Sequence, residues 1–268
     1  MRDLDFSRWI PTPLTKASAV VHLGAAAALA VPGAWPWALG AVAANHLLLV
    51  GCGLAPRSTL LGPNWTRLPE SAAARGCVAV TIDDGPDPNV TPRVLAQLDE
   101  YDARATFFCI GERVARHPEL AREIARRGHS VENHSERHRY DFSLLGPRAI
   151  ADEIAKAQDT IGNVVGTRPL FFRAPAGLRN PFLQPVLARL QLQLASWSRR
   201  GFDTVERDSG KVLAKLQRNL HAGDILLLHD GHSATTRAET PVILEVLPRL
   251  LATLRAARLR PVTLRSAT

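Results

Sequence analysis

Lysine, methionine, tyrosine and cysteine are all scarce in this chain, and most of these scarcities narrow what it can be. Of 33 basic residues only Lys16, Lys156, Lys211 and Lys215 are lysine, so the formal charge of +8 is carried by arginine. No basic run is interleaved with aromatics, so the skew reflects genomic base composition and speaks against a nucleic-acid partner. The three cysteines, Cys52, Cys77 and Cys109, are odd in number, lack a C-x-x-C spacing and have apolar neighbours. They are expected as buried thiols and not as a disulfide framework. A G-x-S-x-G elbow is missing, which argues against an α/β-hydrolase. Asp208-Ser209-Gly210-Lys211 looks like the end of a P-loop, but Val205 and Val212 stand where that motif needs Gly and Ser or Thr.

The longest absence is of charge. From Ala17 to Pro56 there is no Asp, Glu, Lys or Arg, twice the roughly 20 apolar residues that one helix needs to span lipid. Pro32-Gly33-Ala34-Trp35-Pro36 breaks the run, so residues 1–56 read as a membrane-anchoring helical hairpin. Trp35 and Trp37 suit the headgroup level. A cleaved signal peptide is the rival, since Ala28-Leu29-Ala30 resembles a small-residue cleavage site. Asp3 and Asp5 in the leading segment, and the second apolar stretch Trp37 to Leu54, oppose it. A soluble protein with a buried hairpin is the third reading. Arg2, Arg8 and Lys16 before the stretch, and Arg57, Arg67 and Arg75 after it, place both flanks in the cytoplasm. The expected location is a bacterial inner membrane, contacted through residues 17–56, with the catalytic domain facing the cytoplasm. Residues 57–76, with Gly62-Pro63 and Pro69, read as a linker.

Residues 77–268 alternate strand-length apolar runs with amphipathic segments of helix length. The candidate strands are Cys77–Ile82, Ala105–Ile110, His129–Glu132, Leu170–Arg173, Leu192–Ser198, Asp224–His229 and Pro261–Leu264. Helices are expected at Pro118–Arg127, Pro147–Val165, Ser209–Leu220 and Thr240–Arg258. Such alternation implies parallel strands with helices outside, in a barrel or a doubly wound sheet. In both, chemistry collects at the carboxyl ends of the strands.

Four strand ends carry polar residues that need explaining. Asp83 and Asp84 close the first, and adjacent carboxylates resist burial together unless a cation neutralises them; an Asx turn or helix cap is the plain alternative. After the third comes His134-Ser135-Glu136-Arg137-His138, two imidazoles at i and i+4, which would share one face of a helical turn. With Asp84 they make a two-His, one-carboxylate set suited to a catalytic divalent metal. Arg173 ends the fourth strand and His229 the sixth. Each alone reads equally as an ordinary strand-end cation and a satisfied buried histidine.

The four segments TIDDGP at 81–86, HSERH at 134–138, RAPAG at 173–177 and LLLHD at 226–230 resemble, in order and spacing, the motifs of the polysaccharide deacetylases with a NodB homology domain, carbohydrate esterase family 4. That resemblance covers residues 78–264. It implies a distorted (β/α)7 barrel, hydrolysis of the N-acyl group of an amino sugar, and a divalent metal ion, usually zinc. It also implies residue roles: Asp84, His134 and His138 as metal ligands, Asp83 as general base, Arg173 orienting Asp83, and His229 as general acid. Asp203 falls where the family has an aspartate that tunes the acid histidine. The segment around it, Trp197 to Thr204, departs from the family pattern, with Thr204 in place of a tryptophan, Arg200 in place of an acidic residue and, in the third motif, Ala176 in place of an aromatic. The lost aromatics and the hairpin together suggest a small lipid-linked substrate, such as a polyprenyl-phosphate-linked hexosamine, and no protein partner is evident. An exported peptidoglycan or exopolysaccharide deacetylase, or a metal- and sugar-binding relative without turnover, are the alternatives.

Overall fold

The computed structural model describes residues 9–268; the flank charges Arg2, Asp3, Asp5 and Arg8 lie outside the described residues. The chain opens with a helical pair, α1 (Pro13–Ala28) and α2 (Trp35–Gly53), then a short helix α3 (Glu70–Ala74). The strands are β1 (Cys77–Asp83), β2 (Ala105–Cys109), β3 (Ser130–Asn133), β4 (Phe171–Phe172), β5 (Gln193–Leu194), β6 (Arg199–Arg200), β7 (Ile225–His229) and β8 (Arg260–Pro261). Between them run α4 (Thr91–Glu100), α5 (Gly111–Arg116), α6 (Pro118–Arg126), α7 (Pro147–Val165), α8 (Leu183–Arg189), α9 (Ser209–Gln217) and α10 (Val242–Ala256). All pairings are parallel, in the order β5-β4-β3-β2-β1-β7-β6, with β8 against the start of β1. The result is a curled (β/α)7-type half-barrel with helices outside.

Local chemistry explains the elements. β1 is buried along all seven residues, as a strand covered on both faces must be. α7 runs over the expected Pro147–Val165, with proline at its first position and Gly166 in the left-handed conformation (φ 76°) stopping it. Asp208 caps α9 by accepting from the N–H groups of Gly210 and Lys211.

The fifth expected strand, 192–198, shortens to β5, and an unexpected strand, β6, follows just beyond it. β5 and β6 lie at opposite free edges of the sheet, and residues 195–198 cross the gap between them. Among the described residues no strand fills that gap. Trp65 N–H donates to the Leu194 carbonyl and its own carbonyl accepts from Ser196 N–H, while the Arg173 guanidinium takes the carbonyls of Ala195 (3.1 Å) and Ser196 (2.7 Å). Ladder bonds that a seventh full strand would supply come from one residue of the 57–76 segment and one buried side chain, and that shortens β5 and β6 to two residues each. The last strand is also displaced, to Arg260–Pro261, because Leu264 N–H turns to the Thr106 hydroxyl.

The helical pair contrasts with this core. Leu23 is 72% exposed, Leu47 73% and Trp37 82%. Only a few polar bonds tie the pair together, among them Asn45 Nδ2 donating to Ser18 Oγ and a 3.0 Å contact between His22 and His46 Nε2. Among the described residues α2 is the one helix long and apolar enough to cross a membrane.

Candidate active site

Strand ends and the loops after them line one open cavity of about 690 Å³, whose walls include Asp83, Asp84, His134, His138 and His229. Asp83 ends β1 and is 3% exposed; its Oδ1 accepts from Arg173 Nη1 at 2.6 Å. Arg173 is itself 1% exposed and uses three further donors on Thr81 Oγ1 and the two carbonyls above, with the Phe108 ring centroid 4.1 Å from its guanidinium carbon. Burial lowers the Arg173 pKa below its ordinary value, and Asp83 opposes that shift.

Asp84, at φ 75°, turns its carboxylate away from Asp83 and towards both histidines. His134 Nε2 and His138 Nε2 each lie 3.2 Å from Asp84 Oδ1 without hydrogen-bonding geometry, leaving a buried carboxylate oxygen with no partner among the described residues. His134 Nδ1 is 2.8 Å from the Arg173 carbonyl. That carbonyl can only accept, so Nδ1 carries the proton and Nε2 presents its lone pair to the cavity. One oxygen and two ring nitrogens thus converge within 4.8 Å. This donor set fits a divalent cation, which explains the orphaned oxygen. Burial works against charge on Asp84, but the imidazoles of His134 and His232 hold its carboxyl well below the usual range. Burial and the neighbouring His134 push His138 down to about 4, so it stands neutral, as a ligand must.

The pair of histidines does not lie on a helical turn. Ser135 and His138 take φ of 63° and 51°, and the segment is a loop. The i, i+4 expectation fails because Asn133 Oδ1 binds Ser135 N–H and Ser135 Oγ binds His138 N–H, an alternative backbone path that short polar side chains supply. Asp84, Ser135, His138 and Ala176 (φ 54°) concentrate left-handed non-glycine residues at this mouth, strain that a surrounding structure tolerates at functional sites.

Across the cavity, His229 ends β7. Its Nδ1 lies 2.9 Å from Asp203 Oδ1, and its N–H donates to Asp203 Oδ2 at 2.7 Å. Burial depresses the His229 pKa, yet Asp203 with Asp83 and Asp84 overrides this and raises it to about 9. At neutral pH it is an imidazolium.

Sequence reasoning left three contributors without roles. His232 Nδ1 is 2.8 Å from Asp84 Oδ2, and Arg113 Nη2 is 3.2 Å from its Nε2. A guanidinium only donates, so His232 accepts there and its Nδ1–H orients Asp84, leaving Oδ1 free. Its signal was the Asp230-Gly231-His232 sequence just after His229. Asp230, 1% exposed and pushed up by burial to about 7, accepts from Thr91 Oγ1. A Cβ on Gly231 would sit 2.2 Å from the Asp84 carbonyl oxygen and one on Gly85 2.6 Å from the Asp230 carboxylate, so both positions need glycine for close approach. Tyr140, 97% exposed, stands at the rim beside His138; nothing in its local sequence marks it.

The polysaccharide deacetylase profile matches residues 70–195. A peptidoglycan-N-acetylglucosamine deacetylase of Bacillus cereus is 36% identical over 176 residues, covering 65% of this chain and 81% of the relative. The chain belongs to the polysaccharide deacetylase family. A chitooligosaccharide deacetylase of Bradyrhizobium is 35% identical over 156 residues, 58% of this chain and 71% of that one. Among solved structures, peptidoglycan deacetylase PdaC of Bacillus subtilis superposes with a TM-score of 0.63 at 27% identity, covering 71% of this chain and 89% of that chain. A family 4 pseudoenzyme of Bacillus anthracis has a TM-score of 0.67 at 22% identity, over 76% of this chain and 68% of that chain, so the fold alone does not establish turnover. Sequence similarity to the deacetylases identifies this protein as a carbohydrate N-deacetylase, a hydrolase of a family that uses a divalent metal.

Proposed function

We propose that this deacetylase removes the acetyl group from N-acetylglucosamine units of an envelope glycan or its oligomers, with Asp83 as base, His229 as acid and Asp84, His134 and His138 holding one zinc-class cation. The observation that carries the reading is the pairing, across one open cavity, of an Arg173-anchored carboxylate with an imidazolium held by Asp203. An amide resists water because its carbon is a poor electrophile and its nitrogen a poor leaving group. A divalent cation in the site supplies Lewis acidity towards the acyl oxygen and acidifies water. Asp83 Oδ1 is engaged by Arg173, so Oδ2 takes the proton of the attacking water. Ala176, facing the cavity at φ 54°, offers its N–H to the developing oxyanion, an interaction typically of about 3 kcal/mol. His229 then delivers its proton to the departing amine, which leaves as the free amino sugar while acetate forms.

Tyr140 bears on the substrate. Ala176 and Thr204 remove two aromatic surfaces from the cavity wall, but Tyr140 offers a fully solvent-facing ring at the same mouth, suited to stacking on a sugar beyond the one being deacetylated. This supports an oligomeric or polymeric chain, in keeping with relatives named for peptidoglycan and chitooligosaccharides.

A second reading, a polyprenyl-phosphate-linked amino sugar deacylated at the cytoplasmic face, draws on the uncharged stretch Ala17–Pro56 and its basic flanks. Acetate release by the purified full-length, zinc-loaded protein, with chitopentaose compared against a polyprenyl-linked N-acetylglucosamine, separates the two. Faster turnover of the lipid-linked sugar overturns the first reading. A topology reporter fused after Thr268 provides an independent check, since a cytoplasmic signal is incompatible with a cell-wall polymer as substrate.

A further inference from the structure

Where α1–α2 meets the barrel there is a second cavity, of about 420 Å³, separate from the catalytic one. One wall is α2, through Leu49, Val50 and Leu54; the opposite wall is Leu144 and Phe182, from loops of the barrel. At its base sits Arg179, 5% exposed. Its backbone N–H donates to the Gly53 carbonyl at the end of α2, and its Nη2 donates to the Ser58 carbonyl. Its Nε has no hydrogen-bond partner, and no carboxylate pairs with it among the described residues. Burial lowers its pKa to about 10, still far above neutrality, so the charge persists.

A guanidinium this buried is normally paired, because taking an ion out of water costs several kcal/mol, roughly, unless a counter-charge compensates. The carbonyl end of α2 compensates in part. Neither it nor the Ser58 carbonyl uses Nε. Next to this cation the cavity is mostly hydrocarbon, and it runs along α2 from Leu54, just past its end, back to His46, where Ser18 and His22 also line it, eight residues or about 12 Å of helix rise. An anion at one end and a hydrocarbon chain along the rest is the shape of an amphiphile.

We propose that this cleft binds the phosphate of an anionic lipid at Arg179, with one hydrocarbon tail lying along α2 between Leu49 and Phe182. Lipid and not free phosphate is the occupant, because α2 exposes six large apolar residues, Trp35, Trp37, Leu39, Leu47, Leu48 and Val50, and the last of these lines the cleft itself. The site lies outside the catalytic cavity and holds under either substrate. It would pin the barrel to the membrane surface beside the loop that carries Arg173 and Ala176.

The test uses the full-length protein in a neutral detergent, with dodecyl phosphate, dodecyl maltoside and inorganic phosphate as probes read by thermal shift and native mass spectrometry. Dodecyl phosphate is expected to stabilise the protein saturably, and the other two are not. Arg179→Gln should weaken that binding at least tenfold. Leu49→Trp keeps the cation and fills the tail groove; it should weaken binding similarly while turnover of chitopentaose is retained. Equal binding of inorganic phosphate or dodecyl maltoside, or dodecyl phosphate binding unchanged in both variants, overturns the proposal.

Discussion

The barrel and the α1–α2 pair are built from the same apolar residues and treat them oppositely. Val78, Val80, Ile82, Leu247 and Leu250 are fully buried, whereas Leu23, Trp37 and Leu47 are more than two-thirds exposed. Apolar content by itself therefore does not say where a residue goes; the periodicity does. The barrel's strands and helices each offer an apolar face that another element covers, while α2 is apolar around its circumference and has too few neighbours to hide it. The barrel buries its apolar surface within itself and the pair leaves its own exposed, which is the basis of the anchoring proposed here.

The polar groups sharpen the contrast, and the largest expected effects lie there. Asp83→Asn should retain bound metal and lower kcat by about 10²- to 10⁴-fold, whereas His134→Ala should lose metal and activity together; metal analysis alongside steady-state rates separates the two. Full activity in Asp83→Asn would remove that residue from the base role.

Next comes pH. His229 must be an imidazolium to expel the amine, so kcat should fall as pH rises through its pKa, about 9 when Asp203 is ionised beside it. Asp203→Asn removes the main group that raises this pKa, so the alkaline limb should move towards lower pH, and His229→Ala should abolish it. A limb that stays in place in both variants would assign the proton to another group, with His232 the neighbouring imidazole.

Packing gives a smaller and more direct comparison. Leu247, fully buried between α10 and the sheet, should cost about 2–5 kcal/mol when changed to alanine. The same change at Leu47, 73% exposed on α2, should stay within about 0.5 kcal/mol in detergent. Thermal unfolding of the two variants measures both. A large loss at Leu47 would mean that the pair is packed in a way its exposure does not show, and would break the contrast.

Much of this was legible before any coordinates. β1, α6, α7 and α10 lie close to the expected ranges because each is specified by a short-range pattern: an unbroken apolar run, a 3.6-residue period, a proline start or a glycine stop. The seven proposed site residues come together because six of them sit at or just after strand ends, where parallel α/β folds expose side chains to a common mouth. Asp203 is different, since it follows β6, a strand that lies beyond the expected Leu192–Ser198, and only the crossing from β5 to β6 at the other edge of the sheet brings it to His229.

The sequence by itself determined the alternation of strands and helices, the family motifs and the identity of the groups at the mouth, all of which are encoded within a few residues of one another. Tertiary structure decided the rest. It bridged the gap in the half-barrel with Trp65 and Arg173, folded His134 to His138 as a loop, aligned Arg113 with His232 across 119 residues of chain, and left Arg179 buried without a counter-charge among the described residues. These depend on which distant segments meet and on left-handed backbone turns held by side-chain hydrogen bonds. Local periodicity carries no information about such contacts, because their energy exists only once the chain has folded.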